Sequence, residues 1–252
     1  MGLPYLLQRS DKMAKLYVVG IGPGGREHMT LKAIDAIKAC DVIVGYTTYV
    51  GYIEDMVKDK EVFSTGMRRE LERCRYAIER VKEGKDTVIV STGDAGLYGM
   101  AGPILELKED IEVEIIPGVT AAFSAAAELG APIMHDFASI SLSDLLTPWQ
   151  VITKRIEKAA EADFVLAIYN PRSRGRKDYL ERAVGIIKKY RKKDTPVGIV
   201  RNSGRQERTI TLTRLDEIDY EKVDMLSIVL IGNSNSFVKG NQIVTPRGYE
   251  IK

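Results

Sequence analysis

The chain has 252 residues, enough for one large domain or two smaller ones. Hydrophobic residues make up 44% of the sequence and charged residues 29%, a composition typical of a globular protein with an apolar core. The formal net charge is only +2, which argues against nucleic-acid binding because such binding usually needs a clustered basic face. Since the sequence also contains no apolar run long enough to span a bilayer, we predict no membrane partner.

Two cysteines and two histidines limit the metal and redox chemistry of the chain. Cys40 and Cys74 lie far apart and belong to no Cys-x-x-Cys motif, so we predict free thiols in a reducing cytoplasm. His28 and His135 form no recognisable metal-binding spacing with them, so we predict no protein-bound metal. Residues 1–13 are interpreted as a leader outside the fold, too short for a signal peptide.

From residue 16 onward, apolar runs alternate with amphipathic stretches. This alternation predicts an α/β fold with helices on the faces of a parallel sheet. Strands are predicted at 16–20, 41–44, 87–91, 113–116, 137–143, 164–169, 197–200 and 226–231, with an antiparallel partner at 209–212. Helices are predicted at 30–39 (with Leu31, Ile34 and Ile37 on one face), 70–83, 120–129 (capped by Thr120) and 178–190, and another begins at Thr147-Pro148.

Small residues around positions 130–132 predict a boundary between two domains. The N-terminal α/β domain would then cover residues 14–130 and the C-terminal α/β domain residues 131–252. The first domain is expected to hold a mostly parallel sheet and the second a mixed one. Ligands of such sheets bind beyond the carboxyl ends of the strands, where three glycine-rich loops fall in this sequence.

The first glycine loop, residues 20–25, formally fits the pattern Gly-x-Gly-x-x-Gly after a strand. A dinucleotide site would need an acidic residue near the end of the second strand, where this chain has Gly45-Tyr46-Thr47-Thr48. Pro23 also removes a backbone N–H that could bind a pyrophosphate. We favour a turn kept thin so that a bulky ligand can approach, with a plain tight turn as the alternative.

The second glycine loop places Asp94 among small residues after the strand at 87–91. Asp94 could cap the following helix, a common role for aspartate. Because the loop has few side chains and leaves room, we favour the hypothesis that Asp94 borders a ligand.

A row of serines is the least usual feature of the chain. In a strand, Ser139, Ser141 and Ser143 would share one face while apolar residues occupy the other. Such a row can hydrogen-bond a large ligand with many carboxylates, although a half-exposed sheet face would explain it too. Arginines at strand ends suit the same ligand, because the guanidinium group binds carboxylates bidentately; the alternative is that they are solvated surface residues.

These motifs, in this order, resemble the signatures of the tetrapyrrole methylases, which transfer a methyl group from S-adenosylmethionine. The first three are Gly20 to Gly24 with Met29-Thr30, Gly93-Asp94 with Tyr98-Gly99, and Pro117 to Ala121. The segment from His135 to Trp149 and the motifs Tyr169-Asn170-Pro171 and Arg201-Asn202 resemble one branch of that family. This branch methylates C17 of a corrin precursor, precorrin-3B or cobalt-factor III, during ring contraction. The resemblance covers residue 15 to the C-terminus.

The resemblance implies a two-domain tetrapyrrole methylase fold, a homodimer and a donor bound in the cleft between the domains. The implied donor-binding residues are Gly93, Asp94, Leu97, Thr120, Ala121, Tyr169, Asn202 and Gly232. The tetrapyrrole is expected to contact the first glycine loop through Gly22, Pro23 and Gly24. Its carboxylates are expected to bind Ser139, Ser141, Arg172, Arg201 and Arg205.

Ring contraction also needs proton transfers, for which Asp94, His135 and Asp136 are our candidates. One alternative function keeps the fold and the donor but changes the acceptor to ribosomal RNA or a modified histidine. Others are a nicotinamide-dependent oxidoreductase and a non-catalytic carrier in cobalamin biosynthesis, the pathway to which the resembled branch belongs. The sequence leaves open whether the substrate carries cobalt; we lean towards a cobalt-loaded substrate.

Overall fold

The computed structural model describes residues 13–173 and 175–250; the predicted leader lies almost wholly outside these ranges. The strands are β1 (Lys15–Gly20), β2 (Val42–Tyr46), β3 (Glu61–Thr65), β4 (Thr87–Ser91), β5 (Glu112–Ile116), β6 (Gly130–Ala131), β7 (Phe137–Ser141), β8 (Val165–Tyr169), β9 (Pro196–Arg201), β10 (Thr209–Arg214), β11 (Ser227–Ile231), β12 (Phe237–Lys239) and β13 (Gln242–Val244). The α-helices are α1 (Leu31–Ala39), α2 (Thr47–Gly51), α3 (Glu70–Lys82), α4 (Ala101–Leu107), α5 (Ala121–Leu129), α6 (Trp149–Glu161) and α7 (Tyr179–Ile187). Within these ranges, no helix has the length and apolarity that a membrane span requires.

The chain divides into two compact units, the first ending at Val119 and the second beginning at Thr120. The sequence predicted this boundary after Gly130, on the far side of α5. The difference arises because the buried alanines of α5 pack against the second sheet. They form a cluster with Ala167, Val200, Ile228 and Leu230, so the helix belongs to the second unit.

The first unit contains the predicted parallel sheet, with strand order β3-β2-β4-β1-β5 and every pair parallel. Its edge strand β3 was not among the predicted strands. Alternate residues of β1 enter different cores: Leu16 and Val18 pack with α3 and α4, whereas Val19 packs with α1 and α2. Because both faces are covered, the interior strands β1, β2 and β4 are rich in buried apolar residues, whereas the edge strands β3 and β5 alternate with polar ones. All five carboxyl ends therefore lie along one edge of the sheet.

Helix α1 differs in register from the predicted apolar face. Leu31 is 80% exposed, while Ala33, Ala36 and Ile37 are buried. The helix begins at Leu31 because the hydroxyl of Thr30 accepts the N–H of Ala33 at 3.2 Å. Leu31 thus occupies the first helical position and points away from the sheet.

The second unit contains the predicted mixed sheet, with strand order β10-β9-β11-β8-β7. Strand β7 is parallel to β8, β11 is antiparallel to both β8 and β9, and β10 is antiparallel to β9 as predicted. The carboxyl ends of β7, β8 and β9 therefore meet at one edge, which we call the Tyr169 edge. Strand β11 ends at the opposite edge.

Helix α6 starts one residue later than predicted, with Pro148 at the N-cap position. The carbonyl of Pro148 accepts the N–H groups of Val151 and Ile152, so Pro148 precedes the first helical residue and its carbonyl begins the helical hydrogen bonds. The short sheet β12-β13-β6 was not predicted, because its strands have only two or three residues.

The two cysteines are buried free thiols, and burial raises the pKa of each from 9.0 to about 11. We expect neither thiol to react with a disulfide reagent in the folded protein at pH 8, and both to react after denaturation, since the thiolate is the nucleophile. The thiols of the unfolded chain lose their protons at a lower pH than the buried thiols do. Burial of the protonated thiols therefore contributes fully to the free energy of unfolding below pH 9, and this contribution is lost as the pH rises towards 11. Thiol titration with and without denaturant measures the effect; stoichiometric reaction in the native state would contradict it.

Candidate active site

Three strand-end loops of the first unit approach each other backbone against backbone. A Cβ atom on Gly20 would lie 2.7 Å from the carbonyl oxygen of Gly93 and 2.8 Å from the nitrogen of Gly118. A Cβ atom on Gly118 would overlap the same carbonyl of Gly93. Real Cβ atoms do not approach so closely, so both positions require glycine.

Backbone hydrogen bonds join the first two loops at the same place. Gly22 and Gly93 exchange N–H···O bonds of 3.0 and 2.8 Å. Gly22 and Pro23, predicted to face the tetrapyrrole, are buried, and Gly24 is half-buried. The first loop is thin because another backbone segment lies against it, an explanation that needs no ligand.

Asp94 ties the second loop to the third. One carboxylate oxygen accepts the N–H groups of Gly96 and Leu97 at 2.8 and 3.0 Å. The other accepts the N–H of Gly118 at 3.0 Å. Asp94 therefore does not cap a helix, since α4 begins only at Ala101; its carboxylate fixes the relative position of two turns.

In the second unit, the phenol of Tyr169 occupies the N-terminus of α5. Its oxygen accepts the N–H of Ala122 at 3.0 Å and lies 2.5 Å from the hydroxyl of Thr120. Thr120 stands at the N-cap position as predicted, but its side chain bonds Tyr169 and caps no helical N–H. The phenol satisfies a helix-terminal donor that would otherwise lack a partner. Thr120, Ala121 and Tyr169 are thus brought together.

Asn202 follows β9 and lies at the Tyr169 edge. Its backbone has a φ of 53°, in the left-handed region, which asparagine tolerates better than most residues. Its N–H bonds the carbonyl of Leu226 at 3.1 Å, and its carbonyl accepts the N–H of Arg205 at 2.9 Å. The tight turn after β9 therefore presents Asn202 and Arg205 at the same edge as Tyr169.

Gly232 is not part of this group. The preceding residue, Ile231, pairs with Leu166 near the start of β8, so Gly232 lies at the edge opposite Tyr169. The two ends of the five-residue strand β8 are about 13 Å apart, which is the distance between the two edges of the sheet here. A Cβ atom on Gly232 would lie 2.5 Å from the Cβ of Ser236, so local packing explains this glycine.

His135 and Asp136 also lie away from the Tyr169 edge, because they precede β7, which runs parallel to β8. Their side chains are 52% and 80% exposed, and the N–H of Asp136 donates to the Nδ1 of His135 at 2.9 Å. With Phe164 and Arg247 they line an open surface pocket of about 540 Å³. The structure does not bring these two proton-transfer candidates to Tyr169.

The predicted carboxylate-binding arginines Arg172 and Arg201 have partners inside the protein. Arg172 donates to the carbonyl of Tyr220 at 2.5 Å and to Glu221 at 2.7 Å. Arg201 donates to Asp224 at 2.7 Å, and this hydrogen bond raises the pKa of the guanidinium group. Both side chains therefore brace the loops on which they stand.

The serine strand confirms the predicted alternation, since Ile140 and Leu142 are buried while Ser139 and Ser141 are half-buried. The strand ends at Ser141, whose hydroxyl accepts the side-chain N–H of Asn170 at 2.9 Å and the N–H of Ser143 at 3.2 Å. The row of hydroxyls available for a ligand is therefore shorter than predicted.

Sequence reasoning missed one feature of the second unit, a bond between α5 and the turn after β9. Glu128, in the last turn of α5, accepts from the hydroxyl of Ser203 and the N–H of Gly204, both at 3.0 Å. The available signal was an acidic residue at a helix C-terminus, where the helix dipole disfavours negative charge.

Comparison with known proteins assigns the family. The family model described as Tetrapyrrole (Corrin/Porphyrin) Methylases matches residues 15–219. The chain belongs to the tetrapyrrole methylases. The resemblance drawn from the glycine loops is confirmed, and the fold is that of the family.

Two curated relatives and one solved structure place this methylase more closely. It is 51% identical to a probable cobalt-factor III C(17)-methyltransferase of Salmonella typhimurium, over 94% of this chain and 100% of that protein. It is 37% identical to the precorrin-3B C(17)-methyltransferase of a Sinorhizobium species, over 93% and 96%. The crystal structure of the methyltransferase CobJ superposes with a TM-score of 0.88 at 34% identity, over 92% and 100%. Other relatives are longer, and the chain spans 46%, 53% and 67% of three of them.

The convergence of the glycine turns gives a direct test. We expect Gly118→Ala to lower the free energy of unfolding by more than about 2 kcal/mol, because the new methyl group overlaps backbone that cannot move alone. Gly185→Ala is the matched control. It lies within α7 with no atom in reach of a Cβ, so alanine should stabilise by about 0.5–1 kcal/mol.

Urea unfolding followed by circular dichroism measures both variants. Equal stability of the two would show that the turns do not depend on backbone contact at Gly118.

Proposed function

We propose that this tetrapyrrole methylase transfers the methyl group of S-adenosylmethionine to C17 of a corrin precursor, with contraction of the ring. The observation that carries this proposal is the match, at 51% identity, over the whole length of a relative named for that reaction. A second relative, also matched over nearly its full length, bears the corresponding precorrin-3B name.

In the first unit, we propose that the donor binds the turns formed by Gly93, Asp94 and Leu97. The side chains beside these turns suit an adenosyl group: Tyr98 is 53% exposed and held at a φ of 58°, and Val119 is also exposed. The three hydrogen bonds accepted by Asp94 keep the backbone of both turns in place. An aromatic and an aliphatic surface beside a fixed, nearly bare backbone fit an adenine ring and its ribose.

In the second unit, the proposed donor contacts are Thr120, Ala121, Tyr169 and Asn202, which stand at one edge of the sheet. Gly232, His135 and Asp136 are left out of the proposed site because they lie at the other edge of that sheet. The nicotinamide alternative has no support, since the loops resemble those of methylases and the relatives carry methyltransferase names.

The donor, when bound, supplies a methyl group already activated by the sulfonium centre. The residues of this chain then have to orient donor and acceptor in line and keep water out. Alignment of this kind contributes about 7–11 kcal/mol to lowering a barrier. Turns fixed by backbone contact are suited to it, because they hold their geometry without reorganisation.

For the acceptor, we propose that the macrocycle contacts the first glycine loop at Gly24, since Gly22 and Pro23 are buried. We propose that its carboxylates are bound by Ser139, Ser141, Arg172, Arg201 and Arg205. Arg172 and Arg201 would bind through N–H groups that their internal partners leave over, since a guanidinium has five. We further propose a cobalt-loaded substrate, because the more similar of the two relatives is named for cobalt-factor III.

We propose that the enzyme is a homodimer, as the family resemblance implies, and that it acts in the reducing cytoplasm, as its two free cysteines suggest. Light scattering coupled to size-exclusion chromatography measures its oligomeric state.

An anaerobic assay with purified protein tests the function. With labelled S-adenosylmethionine, we expect transfer of label to the cobalt-loaded precursor faster than to the metal-free one, and mass spectrometry should identify a methylated product. Parallel reactions contain ribosomal RNA or the modified histidine in place of the precursor. Label transfer to one of these alone would favour the alternative acceptor, and no transfer at all would favour a carrier.

Variants of the three proton-transfer candidates separate their roles. We expect Asp94→Ala to weaken binding of S-adenosylhomocysteine at least tenfold, because three N–H groups lose their acceptor and the turns separate. His135→Gln and Asp136→Asn should keep at least half of the activity, since both side chains are exposed and distant from Tyr169. Titration calorimetry and the labelled-methyl assay measure these effects. Loss of product in either control would return these residues to the active site.

A further inference from the structure

A hydrogen-bond network fastens both ends of helix α5 to the Tyr169 edge of the sheet. At the N-terminus, the phenol of Tyr169 bonds Thr120 and Ala122. At the C-terminus, the carboxylate of Glu128 accepts from Ser203 and Gly204 in the turn after β9. The helix therefore connects the end of β8 with the turn that carries Asn202.

The donors and acceptors at the C-terminal attachment can be assigned. The hydroxyl of Ser203 has one proton, which it donates to Glu128 at 3.0 Å. The hydroxyl of Ser124, 2.6 Å away, must then donate to the oxygen of Ser203. Ser124 and Ser203 are each 8% exposed, so this chain of hydrogen bonds is closed off from water and stiff.

Glu128 stands where the helix dipole alone would not favour a carboxylate. Its side chain is 12% exposed and lies in the last turn of a helix, where the dipole disfavours negative charge. Its second carboxylate oxygen makes no hydrogen bond within the described part of the chain and faces the Nε of Arg208 at 3.5 Å. Departures from local rules of this kind are typical of functional or strained positions.

The turn that Glu128 holds needs support from outside. Asn202 has a left-handed backbone, which costs about 1 kcal/mol or more in an ordinary residue unless the surroundings fix it. The carbonyl of Leu226 holds the N–H of Asn202 from one side. Glu128 holds the two following residues from the other.

We propose that Glu128 is a positioning residue for the methyl donor, acting through Ser203 and Gly204 to keep Asn202 in its binding conformation. This inference rests on the proposed function, in which Asn202 contacts the donor. Without the carboxylate, the turn samples other conformations, and the apparent dissociation constant rises in proportion to the fraction of molecules that are no longer competent.

Three variants test this proposal. In Glu128→Ala, we expect the dissociation constant of S-adenosylhomocysteine and the KM of the donor to rise about tenfold, which corresponds to a turn that is competent in about one molecule in ten. The kcat at saturating donor and the KM of the macrocycle should stay within threefold. Glu128→Gln should restore donor binding to within threefold of wild type, because its amide oxygen accepts the same two hydrogen bonds. Arg208→Ala, which removes the ion partner of Glu128 and leaves both hydrogen bonds to the turn, should bind the donor like wild type.

Hydrogen exchange gives a measurement that does not depend on the donor. The amide of Gly204 should exchange at least tenfold faster in Glu128→Ala than in wild type. In Arg208→Ala, its exchange rate should equal that of wild type. Unchanged exchange in Glu128→Ala overturns the bracing role, and faster exchange with unchanged donor binding overturns the role in positioning. If wild type itself binds no S-adenosylhomocysteine, the proposed function fails, while the exchange experiment still tests the brace.

Discussion

The first unit depends on backbone packed directly against backbone. Strands β1, β4 and β5 end side by side, and the loops that leave them lie too close together for any side chain at Gly20 or Gly118. This contact brings the main chain of three loops to one place and keeps it there. Asp94 completes the arrangement, because its carboxylate bonds N–H groups from two of the loops. A surface built from main chain in this way has a fixed shape and few side chains.

Such a surface suits methyl transfer from a sulfonium donor. The donor and the acceptor are both reactive already, so the protein contributes mainly geometry and exclusion of water. The second unit follows the same principle by other means. Its helix α5 is held at one end by a phenol and at the other by a carboxylate, so that Tyr169 and the Asn202 turn share one rigid support.

The arginines show how one residue type can serve two purposes. Arg172 and Arg201 stand at strand ends, where a polyacid ligand would need cations. Each is also bound to a carbonyl or carboxylate of its own unit. These internal bonds keep the guanidinium groups oriented, so that their remaining N–H groups point in fixed directions. A surface arginine without such partners would lose more conformational entropy on binding a carboxylate.

Much of this protein could be predicted from the order of its residues. Apolar runs such as 88–90 identified the interior strands of the parallel sheet, because a strand covered on both faces has no polar side. The glycine and aspartate signatures identified the family, since close backbone contact tolerates only glycine and leaves a recognisable pattern. The predicted alternation of serines and apolar residues around β7 was confirmed, because it follows from the two-residue period of a strand.

Only the tertiary structure decided which residues that are distant in the sequence lie together. Which edge of the second sheet a residue occupies depends on strand direction, and the antiparallel course of β11 placed Gly232 opposite Tyr169. The brace formed by Glu128 joins residues separated by 75 and 76 positions, and no periodicity reports such a pair. The assignment of α5 to the second unit depends on which sheet its alanines pack against. Small apolar residues fit either surface, so the sequence of the helix does not show which sheet it covers.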